Sequence, residues 1–186
     1  MVTLPRRMSP TRKLLAALLA ATALVIAGCG DPDEDEPIRE GLAHELGGLD
    51  YNVFITRQLN LSLPEDKTYY NGPAAPPGSA LYGVFIQVCN PDGDGPAKLP
   101  VDEFVVRDTQ GAEFEPVEQP DDNQFAYHPV PLGPKQCIPA SGSVAQLGPT
   151  AGAMLLFEFP QTATENRPLE LEIGEGEEAI AVELDL

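Results

Sequence analysis

Between Tyr51 and Leu63 the apolar residues recur with a period of two. Tyr51, Val53, Ile55, Leu59, Leu61 and Leu63 fall on odd positions, with Arg57 the exception. Asn52, Thr56, Gln58, Asn60 and Ser62 fill the even ones, broken only by Phe54. Side chains of an extended chain alternate between faces, so the pattern predicts a strand, or two with a bend near Arg57, that buries its odd face. Ala80 to Cys89 reads differently. Leu81, Tyr82, Val84, Phe85, Ile86, Val88 and Cys89 leave almost no polar face, as expected of a central strand covered on both sides.

Asn90-Pro-Asp-Gly-Asp-Gly-Pro96 ends that run. Short strands are predicted at Phe104–Arg107 and Glu113–Val117, around the turn Asp108-Thr-Gln-Gly111, and at Phe125–Val130, Gly142–Leu147, Met154–Phe159, Leu169–Ile173 and Ala179–Leu184. Prolines and glycines cluster between them, at 73–78, 91–100, 129–139 and 148–152, which is the punctuation of turns. Nothing sustains helical periodicity for three turns. Many short strands at close spacing predict an all-β, immunoglobulin-like sandwich over residues 51–186. Its facing sheets are expected to bury Tyr51, Val53, Ile55, Val84, Ile86, Val88, Phe104, Val106 and Leu156. The chain has no Trp, so the packed Trp of antibody domains is missing.

The order of features has a likeness. An apolar strand ends in Cys-Asn-Pro-Asp-Gly; Leu-Pro-Val-Asp-Glu-Phe-Val-Val-Arg-Asp-Thr-Gln-Gly follows; a late Pro-Ala-Ser-Gly turn precedes Met-Leu-Leu-Phe-Glu-Phe-Pro160. This resembles the telokin-like, immunoglobulin-related domains of bacterial surface lipoproteins. The resemblance covers roughly residues 50 to 185, implies a sandwich, and brings no shared active site.

The first 37 residues follow other rules. Arg6, Arg7, Arg12 and Lys13 precede an apolar stretch from Leu14 to Ala27 interrupted only by Thr22. A helix needs about 20 apolar residues to cross a bilayer, so this shorter stretch reads as a secretory signal, residues 1–28. Val25-Ile26-Ala27-Gly28-Cys29 resembles the lipobox of bacterial lipoproteins. That resemblance implies cleavage before Cys29 and a diacylglycerol on its thiol. One acyl chain holds a protein only marginally, whereas two or three anchor it stably. Asp31-Pro-Asp-Glu-Asp-Glu-Pro37 is nearly pure charge, and like charges extend a linker. Residues 29–50 are therefore expected to form an acidic flexible tether, with Ile38 to Leu46 as a short helical turn. The protein is expected on the outer face of the cytoplasmic membrane or the cell surface.

Removing the four basic residues before Cys29 leaves seven against 29 acidic ones, a net charge of −22. Such a chain repels nucleic acid and offers no phosphate-binding patch. With Cys29 lipidated, Cys89 and Cys137 are the remaining cysteines. In an oxidising compartment they are expected to form a disulfide, the alternative being two buried thiols.

Candidate chemistry is sparse. Asn90, Asp92, Asp94 and Gly95 match positions 1, 3, 5 and 6 of a calcium loop, but position 12 is Val101. Asp102 and Glu103 are the groups that would reach back, and turn chemistry explains the same letters without a metal. Asp121-Asp122-Asn123 is a second acidic turn, and Asn60-Leu-Ser62 spells a glycosylation sequon inside a strand. His44 and His128 are the only histidines, and Met154 the only methionine after Cys29. A triad or zinc site needs several convergent groups, so no enzyme is expected. The leading expectation is a non-enzymatic, membrane-anchored module that binds another envelope protein. The alternatives are a ligand or cation carrier using the acidic loops, and a structural envelope protein.

Overall fold

The computed structural model describes residues 38–186; the signal stretch, Cys29 and the charged run to Pro37 lie outside them. Ten strands form two sheets. One sheet runs β1 (Ile38–Arg39), β10 (Ile180–Leu184), β9 (Leu169–Ile173), β5 (Phe104–Arg107), β6 (Glu113–Phe114). The other runs β2 (Ala43–Leu46), β3 (Leu49–Leu59), β4 (Ser79–Cys89), and β4's far side pairs with both β8 (Ala153–Pro160) and the two-residue β7 (Cys137–Ile138). The neighbours β3-β4-β8 in one sheet and β5-β9-β10 in the other reproduce the A-B-E and C-F-G strands of an immunoglobulin-like sandwich. All-β is therefore the class, and the topology follows that order.

Alternation sorts the side chains. Leu169, Leu171 and Ile173 of β9 are buried, while Glu170 and Glu172 face outward. On β4, Ala80, Tyr82, Val84, Ile86 and Val88 enter the core between the sheets. Its other face places Leu81 and Phe85 in a second core with Leu59, Tyr69, Met154 and Leu156. That second core lies under helix α1 (Pro64–Tyr69) and the chain around Val117 and Phe125. β4 is thus covered on both sides, as its sequence predicts. Leu156 is buried too, but in this second core rather than between the sheets.

Several expectations fail for identifiable reasons. Residues 38–50 are not tether: β1, β2 and the start of β3 lie in the sheets, and Leu49 is buried. Leu46 pairs with Leu49 across Gly47-Gly48, both at positive φ, the two-residue turn that matches the twist of a hairpin. The expected helical turn there is absent. A β-bulge then interrupts β3 between Val53 and Ile55. An extra residue flips every later side chain to the other face. Ile55, expected in the core, is 41% exposed, and Thr56 takes the inner position at 4%.

Gly142–Leu147 is not a strand. Val144–Leu147 forms a helical turn, α2, whose start is capped by the Ser143 side chain accepting from the Gln146 N–H. Phe125–Val130 is not a strand either. Its first residues run along the free edge of β8, where Met154 N–H donates to Phe125 O and Tyr127 N–H to Met154 O. α1 was unforeseen, and Pro64 at its start fits a first-turn position that needs no N–H donor.

Candidate functional site

Several loops gather at one end of the domain. β1 runs parallel to β10, so both strands begin towards this end. The β9–β10 turn, the β2–β3 hairpin, residues 90–103 and residues 131–137 gather there. The ties are explicit: Gly174 N–H donates to Glu103 O, and Lys98 Nζ donates to Gly48 O at 2.7 Å.

Asn90 organises the loops at this end. Fully buried, it donates its side-chain amide to Leu132 O at 3.0 Å and its backbone N–H to Gln136 O. Its Oδ1 accepts from Asp92 N–H. Lys98 and Leu132 exchange backbone hydrogen bonds. Cys89 stands directly opposite Cys137 in the β4–β7 register, and the two are disulfide-bonded. The bridge therefore ties two strands of one sheet, unlike the antibody bridge, which crosses between sheets.

Two tyrosines hold the crossing to β5. Val101 N–H donates to Tyr51 Oη at 2.9 Å, and Tyr127 Oη donates to Val101 O at 2.8 Å. Burial, with Tyr51 and Asp102 nearby, pushes the Tyr127 phenol far above its ordinary value, so it stays neutral and able to donate. Burial also raises Tyr51, against the pull of the Val101 N–H.

Beside β7 a groove of about 550 Å³ opens between residues 130–137 and 140–146. Val130, Pro131, Leu132, Cys137 and Ala140 line it, with Lys135, Gln136, Ser141 and Gln146 as its charged and polar members. Val130 is 50% exposed, and Leu99, facing Pro131 next to the Lys98–Leu132 bridge, is 68% exposed. Val144 and Leu147, on the same turn as Gln146, are exposed as well, Leu147 at 73%. Such volume with mostly apolar walls and a few polar groups is the usual make-up of a binding site.

The residues singled out in the sequence fall elsewhere or serve other ends. Asp92, a candidate calcium ligand, pairs with Lys98 at 2.8 Å, and Asn90's oxygen is already used. Lys135 closes the same loop, its ammonium donating to Pro91 O and its N–H to Asp92 O. Asp94 is exposed, and Glu103 is tied by its backbone to Gly174 rather than to this loop. Among the described residues no three His, Cys, Asp or Glu side chains converge as a metal site. In this structure Lys98 and Lys135 clamp the turn that carries the calcium-loop letters.

In Asp121-Asp122-Asn123, Asn123 holds α1, donating to Tyr69 O and accepting from Phe125 N–H. Asn60 Oδ1 caps Ser62 N–H. His128 Nε2 lies 3.3 Å from Asn123 O, His44 sits on β2 opposite Tyr51, and Met154 is buried in the second core.

No family model matches this chain, and no curated protein does. Two solved structures show similarity to it. The yjhA protein from Bacillus subtilis is 11% identical with a TM-score of 0.46, covering 80% of this chain and 99% of its own. An uncharacterised β-sandwich protein from Clostridium difficile 630 is 11% identical with a TM-score of 0.44, covering 83% of this chain and 100% of its own.

Proposed function

We propose that this is a lipid-anchored envelope protein whose immunoglobulin-like sandwich binds another envelope protein without catalysing a reaction on it. The observation that carries the reading is the Val25-Ile26-Ala27-Gly28-Cys29 motif at the end of a short apolar stretch, only eight residues before the first strand. A lipobox in that position implies a domain tethered to a membrane, and immunoglobulin-like sheets offer edges and loops that suit recognition of a protein segment. The resemblance to telokin-like lipoprotein domains supports the same reading.

The test is intact-mass analysis of membrane-extracted protein, with Cys29→Ser beside it. The expected mass starts at residue 29 and carries acyl chains, and the variant leaves the membrane. A wild type that is soluble and unacylated overturns the anchor.

A further inference from the structure

We propose that Asn71 converts spontaneously to isoaspartate, and that the longer backbone this leaves unseats Tyr70 from Gly72. The inference is independent of the anchor and of any partner, because the reaction needs only this chain and water.

The sequence supplies the pair. Asn71 is followed by Gly72, and no other Asn in the chain precedes a Gly. The peptide nitrogen after an Asn can attack the side-chain amide carbon, and a Cβ on that next residue hinders the approach. Glycine has no Cβ. Asn90 is the opposite case, because Pro91 brings no N–H to attack with.

The fold leaves both reacting groups unrestrained. Asn71 and Gly72 are exposed, in an irregular segment between α1 and β4. Among the described residues no hydrogen bond holds the Asn71 amide or the Gly72 N–H. The other asparagines are fixed. Asn60, Asn90, Asn123 and Asn166 make side-chain hydrogen bonds, and Asn52 lies within β3 where it pairs with β4.

The reaction balances without any further reagent. The Gly72 nitrogen bonds to Asn71 Cγ, the Cγ–Nδ2 bond breaks, and ammonia leaves with the proton of the Gly72 N–H. The product is a cyclic imide, which water opens at either carbonyl. Attack at Cγ gives Asp. Attack at the main-chain carbonyl carbon of Asn71 gives isoaspartate, in which the chain runs on through the side chain. The attacking nitrogen must lose its proton, so the first step quickens as pH rises.

The consequence falls on Tyr70. Its ring lies against Gly72, where a Cβ would collide with the ring and its hydroxyl. Tyr70 also packs on the second core, and with Asn71, Gly72 and Pro73 it lines a hollow of about 510 Å³ opposite Glu118 and Asp122. Isoaspartate inserts an extra backbone carbon directly before Gly72, which breaks that close fit. It also adds a carboxylate to a hollow whose charged lining residues are acidic.

The experiment ages the full chain in neutral and in mildly alkaline buffer, then reduces it and digests it with trypsin. The peptide Thr68–Lys98 is weighed and fragmented. An amide-to-acid mass gain is expected at position 71, split into two chromatographic forms with isoaspartate the larger, forming faster in the alkaline buffer and lost in Asn71→Gln. Extensively aged wild type is expected to melt below Asn71→Asp, which carries the new charge on an unlengthened backbone.

An amide that survives at position 71 overturns the proposal, as does conversion only in a urea-unfolded sample. A gain indifferent to pH, or one yielding Asp alone, overturns the cyclic route. Aged wild type that melts together with Asn71→Asp overturns the unseating of Tyr70.

Discussion

Asp66 shows how a charge is kept inside a small domain. It is buried, and the Arg57 guanidinium reaches it at 2.7 Å while the Asn60 N–H donates to its other oxygen at 2.6 Å. Arg57 also lies over the rings of Tyr69 and Phe85 at 5.5 and 5.6 Å, a favourable placement for a cation. Burial works against the carboxylate, yet the Arg57 hydrogen bond, the Asn60 N–H and the Arg57 charge together hold its pKa below the usual range. The unfolded chain therefore takes up this proton at higher pH than the folded one. The pair stabilises above the ordinary carboxylate pKa, and the contribution is lost as pH falls through that range towards the folded value. Asp66→Asn is expected to lose about 2 kcal/mol at pH 7, with the gap to wild type closing in acid; urea titrations at several pH values measure it. None of this was legible in Pro-Glu-Asp-Lys-Thr-Tyr, which reads as polar linker between strands. The Tyr127 hydroxyl makes a simpler case: Tyr127→Phe removes its bond to Val101 O, and a loss of about 1 kcal/mol is expected by thermal melting.

Among elements, β3 separates what a pattern conveys from what it hides. The alternation from Tyr51 to Leu63 identifies a strand, and the strand is there. One bulge residue, Phe54, reverses its later half, and the letters carry only a faint sign, an apolar residue on an even position. The exchange has an energetic signature, because Thr56 Oγ1 is buried without a hydrogen-bond partner. Thr56→Val is expected to raise stability by about 1 kcal/mol, whereas Ile55→Thr, on the exposed side, should change it by less than about 0.5 kcal/mol; denaturant midpoints decide both. The hairpin at Gly47-Gly48 was overlooked because its first strand, Ala43–Leu46, is only four residues long and carries a single large apolar side chain. The groove was illegible for another reason. Its walls come from a proline-rich connection and a single helical turn, where sequence periodicity has too few residues to act.

For the molecule as a whole, the sandwich class was readable because the strands of the described residues leave a dense record of alternation and turns. The disulfide pairs the two cysteines left after Cys29, as their count suggested, but its placement within one sheet was not legible. It closes a separation of 48 residues, which the chain-entropy relation converts to about 4 kcal/mol. Asn90 and Lys98 hold the same loops by hydrogen bonds, so a protein with Cys89→Ala and Cys137→Ala together is expected to fold with stability lowered by about 2–4 kcal/mol. Guanidinium unfolding of that variant checks it, and a variant as stable as wild type would contradict the estimate.

The short strands at the start of the domain also set how it yields to a pull. Tension applied at Ile38 meets β1, two residues long, then β2, four residues long, before it reaches the eleven residues of β3. Glu40 is the extra rivet, its two carboxylate oxygens taking the N–H groups of Thr56 and Asp185 from opposite sheets. Once that rivet parts, residues 38–48 can pay out roughly 35 Å of chain while the paired strands β3 and β4 stay shut. The front edge of the sandwich is thus expected to yield first under load, giving up the Lys98–Gly48 bond while the β3–β4 pairing and the disulfide hold.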